Sequence, residues 1–239
     1  MNAGAPRVVR VENRHELPED LCAHGIDVHR PVLVCIGGAS GMSKEIATTL
    51  GAAFQDLVAP ALDRWSATVV DGGTDAGLMR MVGRARTGAG CSFPLVGVAA
   101  IGTVQLPDTP RPEDGAPLEP NHTYVVLVPG DSWGDETPWL SAVAGEIARD
   151  QRSVTLMVNG GAIALNDAEE SLAAGRPLIV LAGSGRSADE IAKARAGEET
   201  GEQARVVAAS RLTSIIDARN PGAILDGISA ALLADRLDS

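Results

Sequence analysis

Between Val128 and Thr137 the chain reads Pro-Gly-Asp-Ser-Trp-Gly-Asp-Glu. Gly130, Ser132 and Gly134 have the G-x-S-x-G spacing of a nucleophile elbow, where a serine sits on a sharp turn between a strand and a helix. The apolar run from Tyr124 to Val128 supplies the strand. In the α/β-hydrolase order the histidine base follows the serine. All four histidines precede Ser132, the last being His122. An elbow also turns directly into its helix, whereas Asp135-Glu136-Thr137-Pro138 intervenes here. Thr137 is expected as the N-cap, with Pro138 at the first helical position. Ser132 is therefore expected as a hydrogen-bonding group and not as a nucleophile.

The same kind of loop recurs. Apolar runs end at GGASG (37–41), DGGTDAG (71–77), PGDSWG (129–134), NGG (159–161) and GSGRS (183–187). Glycines let a backbone come close to a ligand, and free amides at a following helix N-terminus favour phosphate. One such loop is an ordinary tight turn. Five of them at strand ends point to a phosphate or nucleotide cleft at the carboxyl edge of a sheet. Neither G-x-G-x-x-G nor a Walker A pattern stands at a strand end.

The elements that would carry these loops follow from hydrophobic period. Short β-rich runs at 31–36, 67–70, 95–100, 124–128, 154–158, 178–182 and 213–216 alternate with helical patterns. Ile46, Leu50, Phe54 and Leu57 share one helical face in 44–57. Thr74 is placed to cap a helix carrying Leu78, Val82 and Ala85. Asn166 with Glu169, and Ser187 with Glu190, have capping-box spacing. Gly175 is placed to stop the first of those helices. Ile224–Leu237 closes the chain as a helix. The five prolines of 106–120 exclude a central strand, so that stretch is a surface excursion. Residues 195–205 are polar, a loop or helix extension. Continuous apolar strands alternating with helices give a Rossmann-like α/β fold, a mostly parallel sheet with helices on both faces. Residues 1–30 are expected as a lead-in segment, and 31–239 as one domain.

Composition narrows the function. The 239 residues are 45% hydrophobic, with only three Trp, two Phe and one Tyr, so the core is aliphatic. A formal net charge of −11 argues against nucleic acid as a partner. No segment has the length and apolarity of a membrane span, and no signal peptide is evident. Cys22, Cys35 and Cys91 lack metal-ligand spacing and are expected as free thiols in a cytoplasmic protein. No His-Cys or His-Glu cluster predicts a metal site, and no cofactor is expected.

The order IGGASG, VVDGGTDAGLMRMVGRA, LEPNHTYVVLVPGDSWGDE, VNGG and VLAGSGRSADEIA resembles the SLOG domain, in the form found in TRPM channels and their prokaryotic relatives (LSDAT). The superfamily also includes the Lonely-guy phosphoribohydrolases and DNA-processing protein A. The resemblance spans roughly 31–192. It implies glycine loops that bind nucleotide-derived ligands, ADP-ribose-like molecules among them, and a protein that forms homo-oligomers. By motif it nominates Gly37, Gly38, Gly72, Gly73, Thr74, Gly77, Asp131, Gly134, Glu136, Gly183, Ser184, Gly185 and Arg186; Ser40, Gly130 and Ser132 belong to the same loops. The Lonely-guy loop P-G-G-x-G-T-x-x-E has an acidic residue that helps expel a base. Here the second glycine is Asp131 and the Gly-Thr pair is Gly134-Asp135. An N-glycosidase would then use Glu136 or Glu146 as its acid, with His122 as a candidate base. The preferred reading is a non-catalytic sensor whose output passes through assembly or an effector protein.

Two side chains carry open alternatives. Thr74 suits a phosphate contact or a helix cap. Arg186 suits bidentate phosphate recognition or an ion pair with Asp189.

Overall fold

A computed structural model describes residues 6–38, 41–106, 112 and 114–233. Ser40 lies outside them. In chain order the elements are β1 (Arg7–Arg10), α1 (Leu17–Ala23), β2 (Val32–Gly37), α2 (Lys44–Ala53), α3 (Ala59–Arg64), β3 (Thr68–Asp71), α4 (Gly77–Gly88), β4 (Leu95–Ala100), β5 (Val104–Gln105), β6 (Ala116–Pro117), β7 (Tyr124–Val128), α5 (Thr137–Ala148), β8 (Ser153–Val158), α6 (Ala162–Ala173), β9 (Leu178–Ala182), α7 (Arg186–Arg195), α8 (Glu202–Ala209), β10 (Thr213–Asp217) and α9 (Pro221–Leu233).

Eight strands form one parallel sheet in the order β1-β7-β4-β3-β2-β8-β9-β10; β5 and β6 pair separately. The six inner strands are almost wholly buried because both sheet faces are covered there. Successive side chains point to opposite faces. Val32, Val34 and Ile36 pack with Leu140, Val143 and Ile147 of α5 and with Ala164 of α6 on one face. Leu33 and Cys35 pack with Leu50 of α2, Leu78 of α4 and Ile228 of α9 on the other. This is the Rossmann-like α/β arrangement that the alternating pattern predicts.

The order has a functional consequence. From β2 the chain builds outward through β3, β4 and β7, then returns to place β8 on the other side of β2. The helices after β2 and β8 leave toward opposite faces of the sheet. The strand ends therefore part between β2 and β8, the topological switch point where open α/β sheets bind ligands.

Several local expectations give way to tertiary structure. Residues 7–26 are built into the sheet and its cover: β1 pairs with β7, and Val9, Leu17 and Leu21 are core residues. The helix from Lys44 passes through a π-helical turn at Phe54–Val58 before continuing as α3. That turn shifts the register, so Val58 is buried and Leu57 is exposed. Thr74 does not cap α4, whose N-cap is Ala76; it is buried and bridges to Leu118. Glu136, not Thr137, occupies the N-cap position of α5. The helix expected to open at Asn166 starts a turn earlier, at Ala162, because Gly161 is the cap. Asn166 and Glu169 instead both accept hydrogen bonds from Gln203. Gly185 caps α7, so the Ser187–Glu190 box is not formed; Ser187 is buried. Residues 202–209 overlap the stretch expected as polar loop or extension, yet fold as α8 with Ala204 and Val207 inward.

Candidate functional site

A cleft of about 380 Å³ opens at the parting of β2 and β8. Gly37, the last residue of β2, and Gly38 after it form one side. Gly72 and Thr74, after β3, lie beside them. Gly160 and Gly161 open α6 on the other side, and Glu136 contributes from the start of α5. Cys35, Met79, Trp133, Leu140 and Ile163 add an apolar lining, and Asp167 and Arg186 complete the polar set.

Gly37 permits this geometry. Its φ is +120°, and a Cβ there would overlap the carbonyl oxygen of Val158. Only a residue without a side chain lets β2 and β8 run side by side to that point and then diverge. Asp71, at the end of β3, accepts from the Gly73 amide at 2.8 Å and so shapes the next loop.

Arg186 is the first residue of α7 and has φ +46°, rare for a residue with a side chain. Its guanidinium lies across the N-terminus of α6, with one terminal nitrogen 2.6 Å from where a Cβ on Gly161 would stand. Asp189 does not pair with it. That carboxylate accepts from the Gly183 amide at 2.6 Å and holds the loop before α7. Arg186 forms no ion pair among the described residues.

Two carboxylates line the same cleft. Glu136 accepts from the Gly134 amide at 3.0 Å. Burial nonetheless pushes its carboxyl above the usual range. Asp167, on α6, accepts from the Thr137 hydroxyl at 2.6 Å. Burial first, with the charges of Glu136 and Glu170, raises its carboxyl to about 7 against the Thr137 hydrogen bond. Sequence reasoning missed Asp167. No motif marks it, and its neighbours Asn166 and Glu169 drew attention as caps.

Other nominated residues are placed elsewhere. Asp131 and Ser132 line a neighbouring cavity of about 300 Å³ with Gly102 and Thr103; Trp133 borders both spaces. Their amides both donate to Asp135 at 3.0 Å, which folds the loop on itself, with Gly130 packed against Asp135. Gly134 packs beside Ile163. Ser184 is buried, donates to the Leu181 carbonyl at 2.6 Å and accepts from the Asn159 amide at 2.7 Å. It ties the loops after β8 and β9 together, with Gly183 and Gly185 on either side. Gly73 packs against Gly97 behind the cleft, and Gly77 opens α4. Glu146 is near the far end of α5, paired with Arg149 at 3.8 Å. None of these lines the cleft.

His122 lies in the interior. Its Nε2 is 2.7 Å from Asp71 Oδ1 and its Nδ1 is 2.8 Å from Glu119 Oε2. Burial alone would lower the imidazole; the charge and hydrogen bond of Asp71, joined by Glu119, reverse this and raise it to about 9. A cation buried between two carboxylates has no free nitrogen to act as a base. Cys22, Cys35 and Cys91 are free thiols. Burial and the Asp71 charge hold the Cys35 thiol well above its ordinary range, which leaves it inert at neutral pH. Among the described residues no helix is long and apolar enough to cross a membrane, and no group of three His, Cys, Asp or Glu is arranged to hold a metal ion.

Comparison with known proteins agrees with the fold. The X-ray structure of TM1055, a structural-genomics target, superposes with a TM-score of 0.51 at 20% identity, covering 84% of this chain and 98% of that one. No curated protein is significantly similar to the chain. The family model described as "SLOG in TRPM, prokaryote" matches residues 30–225. The glycine loops, their order along the chain and this match together mean that the protein belongs to the prokaryotic TRPM-type SLOG family.

Proposed function

We propose that the cleft between β2 and β8 binds a phosphate-containing, nucleotide-derived small molecule, of the ADP-ribose or NAD-derived kind, as a sensor. The observation that carries this is Arg186. Its guanidinium is laid over the opening turn of α6 beside Gly160 and Gly161 without a carboxylate partner among the described residues. A helix N-terminus, close glycines and an unpaired guanidinium are complementary to phosphate. The acidic net charge does not oppose this, because the attraction is local.

A thermal-shift series with inorganic phosphate, AMP, ADP-ribose and NAD tests the reading, followed by chromatography of the mixtures. A ligand at about 100 times its Kd adds about 2.7 kcal/mol of stability. The sensor reading expects a raised Tm and an unconsumed ligand. No shift with any of the four would sink it.

A second reading, cleavage of a nucleotide N-glycosidic bond, is favoured by Glu136 and Asp167. Two carboxyls with raised proton affinity in one cleft suit general-acid departure of a base. Its signature in the same chromatograms is free base together with a sugar phosphate.

A further inference from the structure

Asp167 is the polar side chain that α6 gives the cleft. The wall formed by α6 runs from Gly161, under Arg186, past Ile163 to Asp167, a rise of about 9 Å along the helix. One end of the cleft is thus suited to an anion and the other presents two carboxyls. The Asp167 oxygens are not equivalent. Oδ1 accepts from the Thr137 hydroxyl, whereas Oδ2 has no hydrogen bond among the described residues. Around it stand Glu136 at the head of α5, Glu170 one turn along α6 and, at the far end, Arg186 of α7. Gln203 of α8 is engaged with Asn166 and Glu169 and offers Asp167 nothing. Facing Glu136, Glu170 and an incoming anion, an ionised Asp167 would be repelled.

We infer that Asp167 meets the ligand as a carboxylic acid: Thr137 occupies Oδ1, and Oδ2 carries a proton that it donates to an uncharged acceptor, a ring nitrogen or sugar oxygen, on an anionic ligand. This rests on the ligand-binding reading above and adds a consequence to it. Above neutral pH, binding takes up a proton from solvent. The direction agrees with the raised proton affinity of the free Asp167 carboxyl. The device selects ligands that place an acceptor at Asp167 while their phosphate sits under Arg186. It makes Asp167 a specificity-determining residue.

Calorimetry with AMP tests this at pH 7.5 in two buffers of different ionisation heat, on the wild type and on Asp167→Asn. The variant keeps a neutral group of the same shape, so the difference between the proteins subtracts the titration of the AMP phosphate itself. The wild type is expected to take up a substantial fraction of a proton per AMP, and to lose about tenfold in affinity from pH 6.5 to 8.5 beyond any loss in the variant. Equal proton uptake in the two proteins overturns the inference. So does an Asp167 carboxyl, followed by carbon-13 NMR in the free protein, that titrates in the ordinary aspartate range. Absence of binding by AMP, ADP-ribose and NAD alike, in both proteins, overturns the ligand reading and this inference with it. An NMR midpoint near 7 with AMP bound but equal proton uptake in the two proteins places the failure in this inference and leaves the ligand reading standing.

Discussion

His122 Nε2 and Asp71 Oδ1 are 2.7 Å apart with neither side chain exposed to solvent. Glu119 closes on the other ring nitrogen at 2.8 Å, so one imidazolium binds the end of β3 to the segment before β7. Gly83 of α4 makes room for this, since a Cβ there would overlap the Glu119 carboxylate. The group is therefore held by sheet, loop and helix at once. Removing its cation leaves two buried carboxylates facing each other, which costs roughly 3–5 kcal/mol. His122→Gln is expected to lower stability by that amount in urea denaturation, and a loss under about 1 kcal/mol would show the charge group to be incidental.

The same group has a pH signature. The folded imidazole titrates at about 9, above the ordinary 6.5 of an unfolded histidine. Its stabilisation is full below about 6.5 and is lost as pH rises through about 9. The wild-type Tm should fall between pH 7 and 9.5, and the His122→Gln Tm should lack that decline. A wild-type Tm that stays level across this window contradicts the assignment.

Asp167 has a linkage of the same sign in a more acidic window. Its folded carboxyl is raised to about 7 from an ordinary 3.8. Between those values the folded protein binds more protons than the unfolded chain, so stability falls as pH rises from 4 to 7 and then levels off. Asp167→Asn removes this term. Its advantage over wild type should grow across that window to on the order of 1–2 kcal/mol, less than the full shift because the side chain is partly solvated. Parallel pH–stability curves for the two proteins would refute it.

Arg186→Ala should weaken phosphate-bearing ligands by about tenfold or more while leaving stability within about 0.5 kcal/mol, since the side chain is exposed and forms no ion pair among the described residues. Titration with AMP and ADP-ribose measures the first effect, and urea denaturation the second. Unchanged affinity removes the guanidinium from the site.

Gly37 and Gly38 separate architecture from access. Gly37→Ala forces a Cβ onto the Val158 carbonyl at φ +120° and should cost several kcal/mol. A Cβ added at Gly38 would meet no atom within 4 Å, so Gly38→Ala should fold with near wild-type stability. Its methyl would stand in the cleft and lower ligand affinity. A Gly38→Ala protein that binds as tightly as wild type would put the ligand elsewhere.

Seven of the eight sheet strands, their parallel pairing and the cleft edge were legible in the sequence, because most are a local signal, an apolar run followed by glycine; β1, with two arginines in its four residues, was not. Capping was legible only in part. Gly175, at φ +73° just past the end of α6, stops that helix as expected, but Thr74, Thr137 and Ser187 do not cap. Thr137 has Asp167 as its partner, and Asp167 is thirty residues away. No spacing rule could join Asp71, Glu119 and His122 either, because their contact depends on how β3 and the 116–123 segment fold past α4. Leu57 stands at the surface because a π-helical turn breaks the 3.6-residue period on which its placement relied.

The similarity to the family begins at residue 30, yet the sheet begins at residue 7. β1 is the outermost strand on its side and covers the hydrogen-bonding edge of β7. A protein trimmed to the region of family similarity would bare the backbone of an apolar strand, Tyr124 to Val128, along its whole length. Such an edge recruits other chains. The first strand thus serves as a guard against unwanted pairing as well as a part of the fold, and trimmed proteins of this kind should be recovered as aggregates or as dimers joined edge to edge.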